Sequence, residues 1–339
     1  MHILRKYSKK KTVFYNTRTK KNIPPNSTLH KKLSKVYIPP AYKNVKMTDD
    51  IDANVLAIGT DSKNRQQYIY SKKHTEEQTV IKFKELLHFG RKIKKIRKDI
   101  VSLLKKCIFN SEYKNRDCVI ALIIHLIDRC NFRVGNDKYK QLYNSYGITT
   151  INASHVTKMA QFYKIEFVGK KGVLNSSYIT NKYVNIILNK LCKLYRNDEF
   201  LFQYYDNKSL NISRITEKHI NDFLKKYHKS ITVKMFRTWN ANYLLLKELM
   251  HFKMPKDEKE SKKNINIAIS KAAKNLHHTK SVSKNSYMNN DMIDLYIKNP
   301  KSFYSLIQDL KKSNGSFPTF DRILNIILKK INQSTKPSA

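Results

Sequence analysis

The stretch from His277 to Tyr287 reads HHTKSVSKNSY, and it is the most informative part of this 339-residue sequence. It places His278 nine residues before Tyr287. Three blocks with a central cationic residue precede it in the chain, namely NFRVG at Arg133, FVGKKG at Lys170 and FRTW at Arg237. The order arginine, lysine, arginine, histidine, tyrosine supplies the groups that are needed to move a phosphodiester onto a protein without a metal ion.

Each residue type in this series meets one requirement of phosphodiester cleavage. Two arginines can neutralise the charge that develops on the phosphate, because a guanidinium group matches two oxygens at once. A lysine can protonate the leaving oxygen, and a histidine can donate a hydrogen bond to a non-bridging oxygen. A tyrosine hydroxyl can conserve the bond energy as a phosphotyrosine, so that no ATP is required. With 21 tyrosines in the chain, the order and contexts of the blocks carry the argument, and no single residue does.

The charge of the chain predicts a polyanionic partner. Lysine and arginine number 67 and aspartate and glutamate 26, which gives a formal net charge of +41. Such an excess attracts phosphates. An AT-rich coding sequence is the alternative explanation, but the acidic residues also have AT-rich codons and are nevertheless few. We therefore expect nucleic acid to be the partner.

Cysteine usage and apolar runs predict a soluble, intracellular protein without a membrane partner. The four cysteines are Cys107, Cys118, Cys130 and Cys192. None forms a Cys-x-x-Cys pair, so neither a zinc site nor a disulfide framework is expected. The first residues lack the apolar core of a signal peptide, and the longest apolar run, at 119–127, is too short to span a bilayer.

The hydrophobic pattern predicts an α+β chain of two domains. Residues 1–77 form a small β-rich domain with strands at 35–42 and 65–70, and residues 78–339 form a larger, mostly helical domain. Thr75 is expected to cap a helix that continues beyond residue 79 as an amphipathic helix. Its basic residues either contact DNA or form a solvated face. Further helices are predicted at 117–130, 181–195, 217–228, 232–250 and 262–276.

A β-hairpin interrupts the helical domain. Residues 162–168 alternate in polarity like a strand, 169–172 read GKKG, and 173–179 form the return strand. Lys170 therefore lies at the predicted turn.

These blocks, together with GTDSKNRQQYIY at 59–70, resemble the type IB DNA topoisomerases, in particular the small poxvirus-like form found in large DNA viruses. The resemblance covers most of the chain. It implies the catalytic fold shared with tyrosine recombinases, with Tyr287 as nucleophile and Lys170 as general acid. It also implies that Arg133 aids protonation of the leaving group and that Arg237 and His278 contact the scissile phosphate.

The resemblance further implies a monomer that clamps double-stranded DNA as a C-shaped protein and needs neither a metal ion nor a nucleotide cofactor. It would form a 3′-phosphotyrosyl bond and act on viral DNA. His277 departs from the family pattern, which has glycine there, and Asn136 stands where some relatives have a base-contacting lysine. The DNA-contacting residues implied are Gln67, Tyr68, Tyr70, Tyr139, Lys234 and Asn242.

Two other functions fit part of the pattern. Tyrosine recombinases use nearly the same five residues, but they place a histidine three residues before the second arginine, where this chain has Lys234. A non-enzymatic DNA-packaging protein would explain the charge but not the ordered blocks. The sequence contains no phosphate-binding loop for ATP and no acidic cluster for a two-metal nuclease.

Overall fold

A computed structural model describes residues 1–8, 11–50, 52–206, 209–312 and 319–334. The chain divides into two compact units, Met1–Lys82 and Phe83–Ala339. The division lies within a long helix, five residues beyond the boundary expected from the sequence. Among the described residues, no helix is both long enough and apolar enough to cross a membrane.

The N-terminal unit is built on a six-stranded antiparallel sheet with the order β3-β2-β1-β4-β5-β6. Helix α1 (Thr28–Ser34) connects β3 to β4. The strand predicted at 65–70 is confirmed, but the one at 35–42 is wrong. That segment is a loop, since Pro39 and Pro40 lack the N–H groups that a central strand requires. The strands are β1 (Ile3–Ser8), β2 (Lys11–Asn16), β3 (Lys21–Asn22), β4 (Lys43–Met47), β5 (Val55–Thr60) and β6 (Gln66–Tyr70).

One face of this sheet packs with α1 into a small apolar core. In β4, Val45 and Met47 point inward, while Asn44 and Lys46 are exposed. This alternation follows from the two-residue period of a strand. The buried apolar residues are Ile3, Phe14, Ile23, Leu33, Ile38, Val45, Met47 and Ala57.

Helix α2 (Lys72–Phe109) begins earlier than the sequence suggests. Oγ of Ser71 accepts the backbone N–H of His74 and so caps the helix, whereas Thr75 lies in the first turn and donates its hydroxyl to the Ser71 carbonyl. The basic residues of α2 are mostly exposed, as predicted. Arg97 is half-buried, and it forms ion pairs with Asp128 and Asp321 at 2.8 Å each.

The C-terminal unit is mostly helical and has one large apolar core. Helix α3 lies in its centre with almost every side chain buried, and it ends, as predicted, just before Arg133. Trp239 of α7 is fully buried in the same core. The helices are α3 (Arg116–Cys130), α4 (Asp137–Tyr143), α5 (Lys182–Leu194), α6 (Glu217–Leu224), α7 (Lys234–Leu249), α8 (Glu258–Asn275), α9 (Lys280–Ser286), α10 (Asn290–Lys298), α11 (Pro300–Lys312) and α12 (Phe320–Ser334).

The predicted hairpin is confirmed. Strands β8 (Tyr163–Val168) and β9 (Leu174–Ile179) pair antiparallel, and β7 (Val156–Lys158) adds a third strand that the sequence did not indicate. The connecting turn uses left-handed backbone at Lys171 and Gly172. A second, two-stranded sheet consists of β10 (Gln203–Asp206) and β11 (Asn211–Arg214).

A disulfide joins Cys107 at the end of α2 to Cys118 in the first turn of α3. The expectation that no disulfide forms is therefore wrong for this pair. The reversal between the two helices brings the two Cα atoms to 6.0 Å, a normal separation for a disulfide. Sequence spacing alone did not reveal it, because an 11-residue separation matches no metal or redox motif.

Candidate active site

The chain that carries Arg133 is fixed by pairing with a neighbouring segment. The carbonyl of Arg133 accepts the N–H of Ile148 at 2.8 Å, and the carbonyl of Val134 accepts that of Thr149 at 2.7 Å. Gly135 has a left-handed φ of +117°, and a Cβ placed on Gly147 would lie only 2.4 Å from the Gly135 nitrogen. Gly147 therefore allows the close approach of the two segments, and Gly135 of the NFRVG block supplies the positive φ.

Arg237 and His278 meet where helix α7 passes the end of α8. Arg237 is only 4% exposed. Its Nη2 donates to the carbonyl of Leu276 at 2.9 Å and also contacts Nε2 of His278. His278 follows the last turn of α8, and its backbone N–H donates to the carbonyl of Ala273 at 3.0 Å.

Tyr287 completes this cluster from the end of α9, which Thr279 caps. Its ring centroid lies 4.4 Å from that of His278, and the Arg237 guanidinium lies 5.9 Å from the ring. The structure thus brings together four of the five predicted catalytic residues, with Arg133 also interacting with the Tyr287 side chain.

The cluster concentrates positive charge in a buried place. Burial and then Arg133 lower the pKa of Arg237 to about 10, which leaves it charged at neutral pH. Burial lowers the pKa of Arg133. Burial, followed by Arg237, Arg133 and His277, lowers the pKa of His278 to about 3. The side chains that shift these three pKa values are arginine, histidine and tyrosine, and no carboxylate is among them.

Three buried N–H positions in the cluster have no acceptor among the described residues. They are Nη1 of Arg133 and both Nε and Nη1 of Arg237. A buried donor without an acceptor is costly. Two cationic guanidinium groups with spare donors therefore indicate a site for an anion with several oxygens, such as a phosphodiester.

Lys170 lies at the hairpin turn, as predicted, and its side chain is exposed. Of the five predicted residues it is the one for which the structure shows no contact with the others. Strand β9 begins four residues after Lys170. Leu174 and Ser176 of this strand line a cavity of about 600 Å³, and His278 and Thr279 line the same cavity. The hairpin thus borders the same cavity as His278.

In the N-terminal unit, Asp61 organises the predicted DNA-contacting strand. Its carboxylate accepts the backbone N–H groups of Lys63 and Arg65 and also a hydrogen bond from Nε2 of Gln67 at 3.0 Å. A side-chain hydrogen bond from Arg65 lowers the pKa of Asp61 to about 2. Beyond this turn, Tyr68 and Tyr70 stack with ring centroids 6.3 Å apart and are about half exposed.

The remaining predicted DNA contacts differ in exposure. Tyr139 on α4 and Lys234 at the start of α7 are exposed. Asn242 is fully buried. Its Nδ2 donates to the carbonyl of Tyr287 at 2.9 Å, and its Oδ1 accepts the N–H of Asn289 at 2.7 Å. The implied role of Asn242 as a DNA contact is therefore corrected, because its amide holds the chain on both sides of Met288 instead.

An aromatic contact that the sequence did not predict links three of the catalytic blocks. The ring of Phe132 lies 5.1 Å from that of Phe167 and 6.1 Å from that of His277. His277 has a φ of +52°, a conformation that glycine adopts easily. The family's glycine at this position is the one signal that could have indicated this backbone.

Comparisons with known proteins identify relatives that match most of the chain. The sequence model of the eukaryotic DNA topoisomerase I catalytic core matches residues 71–313. The chain is 33% identical over 279 residues to DNA topoisomerase 1B of Acanthamoeba polyphaga mimivirus. This alignment covers 80% of this chain and 81% of the viral protein. It is also 26% identical over 285 residues to DNA topoisomerase I of monkeypox virus, and that alignment covers 83% of this chain and 82% of the viral protein. The chain therefore belongs to the type IB DNA topoisomerases.

Proposed function

We propose that this protein relaxes supercoiled duplex DNA by transient cleavage of one strand, with Tyr287 as the nucleophile. The observation that carries the assignment is a group of buried N–H donors without an acceptor, on half-buried Arg133 and on buried Arg237 beside Tyr287. These donors suit the non-bridging oxygens of a phosphodiester, and they are fixed before the reaction begins. Preorganised donors of this kind stabilise the charge of a transition state without the cost of reorganisation.

The chemical step is a transesterification. The Tyr287 oxygen attacks phosphorus and loses its proton, the bond from phosphorus to the 5′ oxygen breaks, and the 5′ oxygen takes up a proton as it leaves. Lys170 is the proposed proton donor, assisted by Arg133. The 3′-phosphotyrosyl bond keeps the energy of the broken bond, so the free 5′ hydroxyl can attack and reseal the strand without ATP.

His278 is proposed to contact a non-bridging oxygen. Its lowered pKa makes it neutral at neutral pH, with Nε2 accepting a hydrogen bond from Arg237. A bound phosphate would raise this pKa, because its negative charge counteracts the two arginines. The imidazole would then gain an acceptor for its own N–H group.

Substrate binding is proposed to use both units. We infer that a monomer holds one duplex, with Gln67, Tyr68, Tyr70, Tyr139 and Lys234 among the residues that contact it, and that the DNA is that of a large DNA virus. After cleavage, rotation of the duplex beyond the nick would release supercoils of either sign. The net charge of +41 supports a strong phosphate contribution to affinity, which salt weakens steeply.

The test is relaxation of positively and negatively supercoiled plasmid in EDTA without ATP. Wild type should relax both and form a covalent adduct that SDS traps. Tyr287→Phe should do neither and still bind DNA. Tyr205→Phe is the matched control, because Tyr205 is a partly exposed tyrosine outside the cluster in the same C-terminal unit, Phe83–Ala339, called the catalytic unit from here on.

Two other outcomes would favour the alternative functions. Recombined or catenated products in place of relaxed circles would indicate a site-specific recombinase. DNA binding by wild type without any adduct or relaxation would indicate a packaging protein. Relaxation by Tyr287→Phe at the wild-type rate would refute the assignment of the nucleophile.

A further inference from the structure

We propose that Asn131 is a positioning residue that sets Arg133, Arg237 and His278 relative to one another. The proposal rests on the function proposed above, because it gives a cause for the geometry of that site. Asn131 is only 8% exposed, and its side chain makes hydrogen bonds within the protein. Its effect on the reaction would therefore pass through the residues that it holds.

The backbone of Asn131 directs the chain from α3 toward Arg133. Asn131 is the C-cap of α3, with φ 56° and ψ 28° in the left-handed region. Asparagine and glycine adopt this conformation more easily than other residues. The turn lies only two residues before Arg133, so a change in its geometry would move the Arg133 segment.

The side chain of Asn131 contacts the other two catalytic segments. Its Oδ1 accepts a hydrogen bond from Nδ2 of Asn240 at 2.9 Å, and Asn240 lies about one helical turn after Arg237 on α7. Its Nδ2 donates to the carbonyl of Asn275 at 3.2 Å, three residues before His278. One buried amide thus contacts the segments of both residues.

The end of α8 shows why this contact bears on the geometry of the site. The last carbonyl groups of a helix have no partner within the helix. Asn131 bonds the carbonyl of Asn275, and Arg237 bonds the adjacent carbonyl of Leu276 at 2.9 Å. These neighbouring bonds fix the chain immediately before His278. If the Asn131 amide is removed, the Asn275 carbonyl loses this hydrogen bond, and the remaining side-chain bond of the pair comes from Arg237, which is also proposed to bind phosphate.

A partly buried ionic network also joins these helices. Arg97 bonds Asp128 through Nε and Nη2 at 2.8 and 2.9 Å, and it bonds Asp321 through Nη1 at 2.8 Å. Nε1 of Trp239 donates to Asp321 at 2.7 Å. Helices α2, α3, α7 and α12 therefore stay joined without Asn131, and we expect an Asn131 variant to fold.

The first experiment measures covalent adduct formation at saturating DNA with enzyme in excess. Asn131→Gly keeps the left-handed backbone accessible and removes both side-chain hydrogen bonds. The rate should fall at least about tenfold, since small misplacements of catalytic groups can cost up to about 100-fold, while DNA affinity stays within about twofold. Asn44→Gly is the matched control, because Asn44 is also left-handed, with φ 52°, but exposed in the N-terminal unit.

The second experiment tests whether Asn131 acts through the catalytic residues. In a His278→Ala background, Asn131→Gly should cause a smaller further loss than in wild type, because one of the residues that it positions is already absent. A loss of the same factor in both backgrounds would refute positioning and indicate an independent effect. A wild-type adduct rate in Asn131→Gly would also refute the proposal.

Asn240→Ala provides a second variant that breaks the same junction from α7. It should reproduce the loss of rate with unchanged affinity, even if Asn131→Gly fails to fold. A wild-type rate in Asn240→Ala would contradict the junction. If wild type itself forms no adduct, or if His278→Ala alone has no effect, the proposed catalytic site fails rather than the role of Asn131.

Discussion

The predicted DNA-contacting strand and the proposed catalytic cluster differ in whether their charged groups have hydrogen-bond partners within the protein. At the start of β6, Asp61 accepts hydrogen bonds from Arg65 and Gln67, and the neighbouring Tyr68 and Tyr70 remain exposed. In the cluster, half-buried Arg133 and buried Arg237 have buried donors without an acceptor among the described residues. The charged groups of the predicted DNA-contacting strand thus have partners within the protein, whereas the cluster has donors that a bound anion could satisfy.

From this difference we expect the cluster to lower the free energy of unfolding, in return for donors that can bind a phosphate. Burying charge without a partner destabilises a folded chain. Preorganised charge is at the same time what stabilises a developing negative charge most effectively. The two regions should therefore respond differently to the same substitution, to reduction and to acid.

The largest expected effect comes from replacing one arginine in each region by methionine. Arg237→Met should lower the rate of adduct formation about 10²- to 10³-fold, as expected for loss of a preorganised donor, and should raise the free energy of unfolding, because it removes a buried charge. Arg65→Met should lower stability, because Asp61 loses its partner. Adduct assays at saturating DNA and urea unfolding measure both effects.

The matched arginine variant sharpens this test. Arg65→Met should weaken DNA binding through the disturbed turn but leave the rate of the bound complex unchanged. If Arg237→Met is destabilised as much as Arg65→Met, the cluster is not strained by its buried charge, and the contrast between the two regions fails.

The second effect concerns the disulfide, since all four cysteines lie in the catalytic unit. Reduction of Cys107–Cys118 should destabilise that unit by about 3 kcal/mol, from the entropy of a loop of this length. Thermal melting followed by the fluorescence of Trp239, the only tryptophan, reports this unit. The double variant Cys107→Ala/Cys118→Ala should not respond to reductant, whereas Cys192→Ser should respond like wild type. A wild-type melt that reductant does not change would contradict the disulfide.

The parts of this molecule that the sequence predicted are those set by neighbouring residues. The hairpin at Lys170, the end of α3 before Arg133 and the β6 strand each follow from a local pattern of apolar residues, glycines and turns. The N-terminal strands were less visible. Among Ile3 to Tyr7 of β1, Ile3 alone is fully buried, and a strand with so few inward side chains gives little alternation.

The features that were missed depend on partners far away in the chain. Arg97 looked like a surface residue, but its partners lie 31 and 224 residues away. The family resemblance implied that Asn242 contacts DNA. Its hydrogen bond to the Tyr287 carbonyl, 45 residues later, forms only in the folded chain and could not be read from the sequence. Tertiary contacts of this kind have no signature in a single sequence.

The third effect is a difference in acid sensitivity. The five histidines with lowered pKa values all lie in the catalytic unit, namely His125, His155, His219, His277 and His278. A histidine whose folded pKa lies below its unfolded value stabilises the fold fully above about pH 6.5, and this contribution is lost as pH falls. For His278 the loss extends toward pH 3. Asp61, with a pKa of about 2, loses its contribution only below pH 3.8.

Urea unfolding followed by Trp239 fluorescence measures this acid sensitivity. Stability of the catalytic unit should fall between pH 6.5 and 4 in wild type. His278→Gln should show a shallower fall, because one fewer group takes up a proton on unfolding. Asp61→Asn should change the stability of the N-terminal unit without altering the slope in this range. An unchanged slope in His278→Gln would mean that the arginines do not suppress protonation of this histidine.

The smallest effect tests whether the cluster also holds strain in its backbone. His277→Ala and His277→Gly both remove the ring that lies beside Phe132, but only glycine relieves the left-handed φ of +52°. The glycine variant should therefore be the more stable of the two by about 1 kcal/mol. Urea unfolding compares them directly, and Asn44→Ala against Asn44→Gly repeats the comparison at a left-handed residue in the N-terminal unit.

Equal differences in both units would place the strain in backbone conformation alone. A larger difference at His277 would mean that the segment between Leu276 and His278, held by Arg237 and packed against Phe132, cannot relax, which is what a preorganised phosphate site requires.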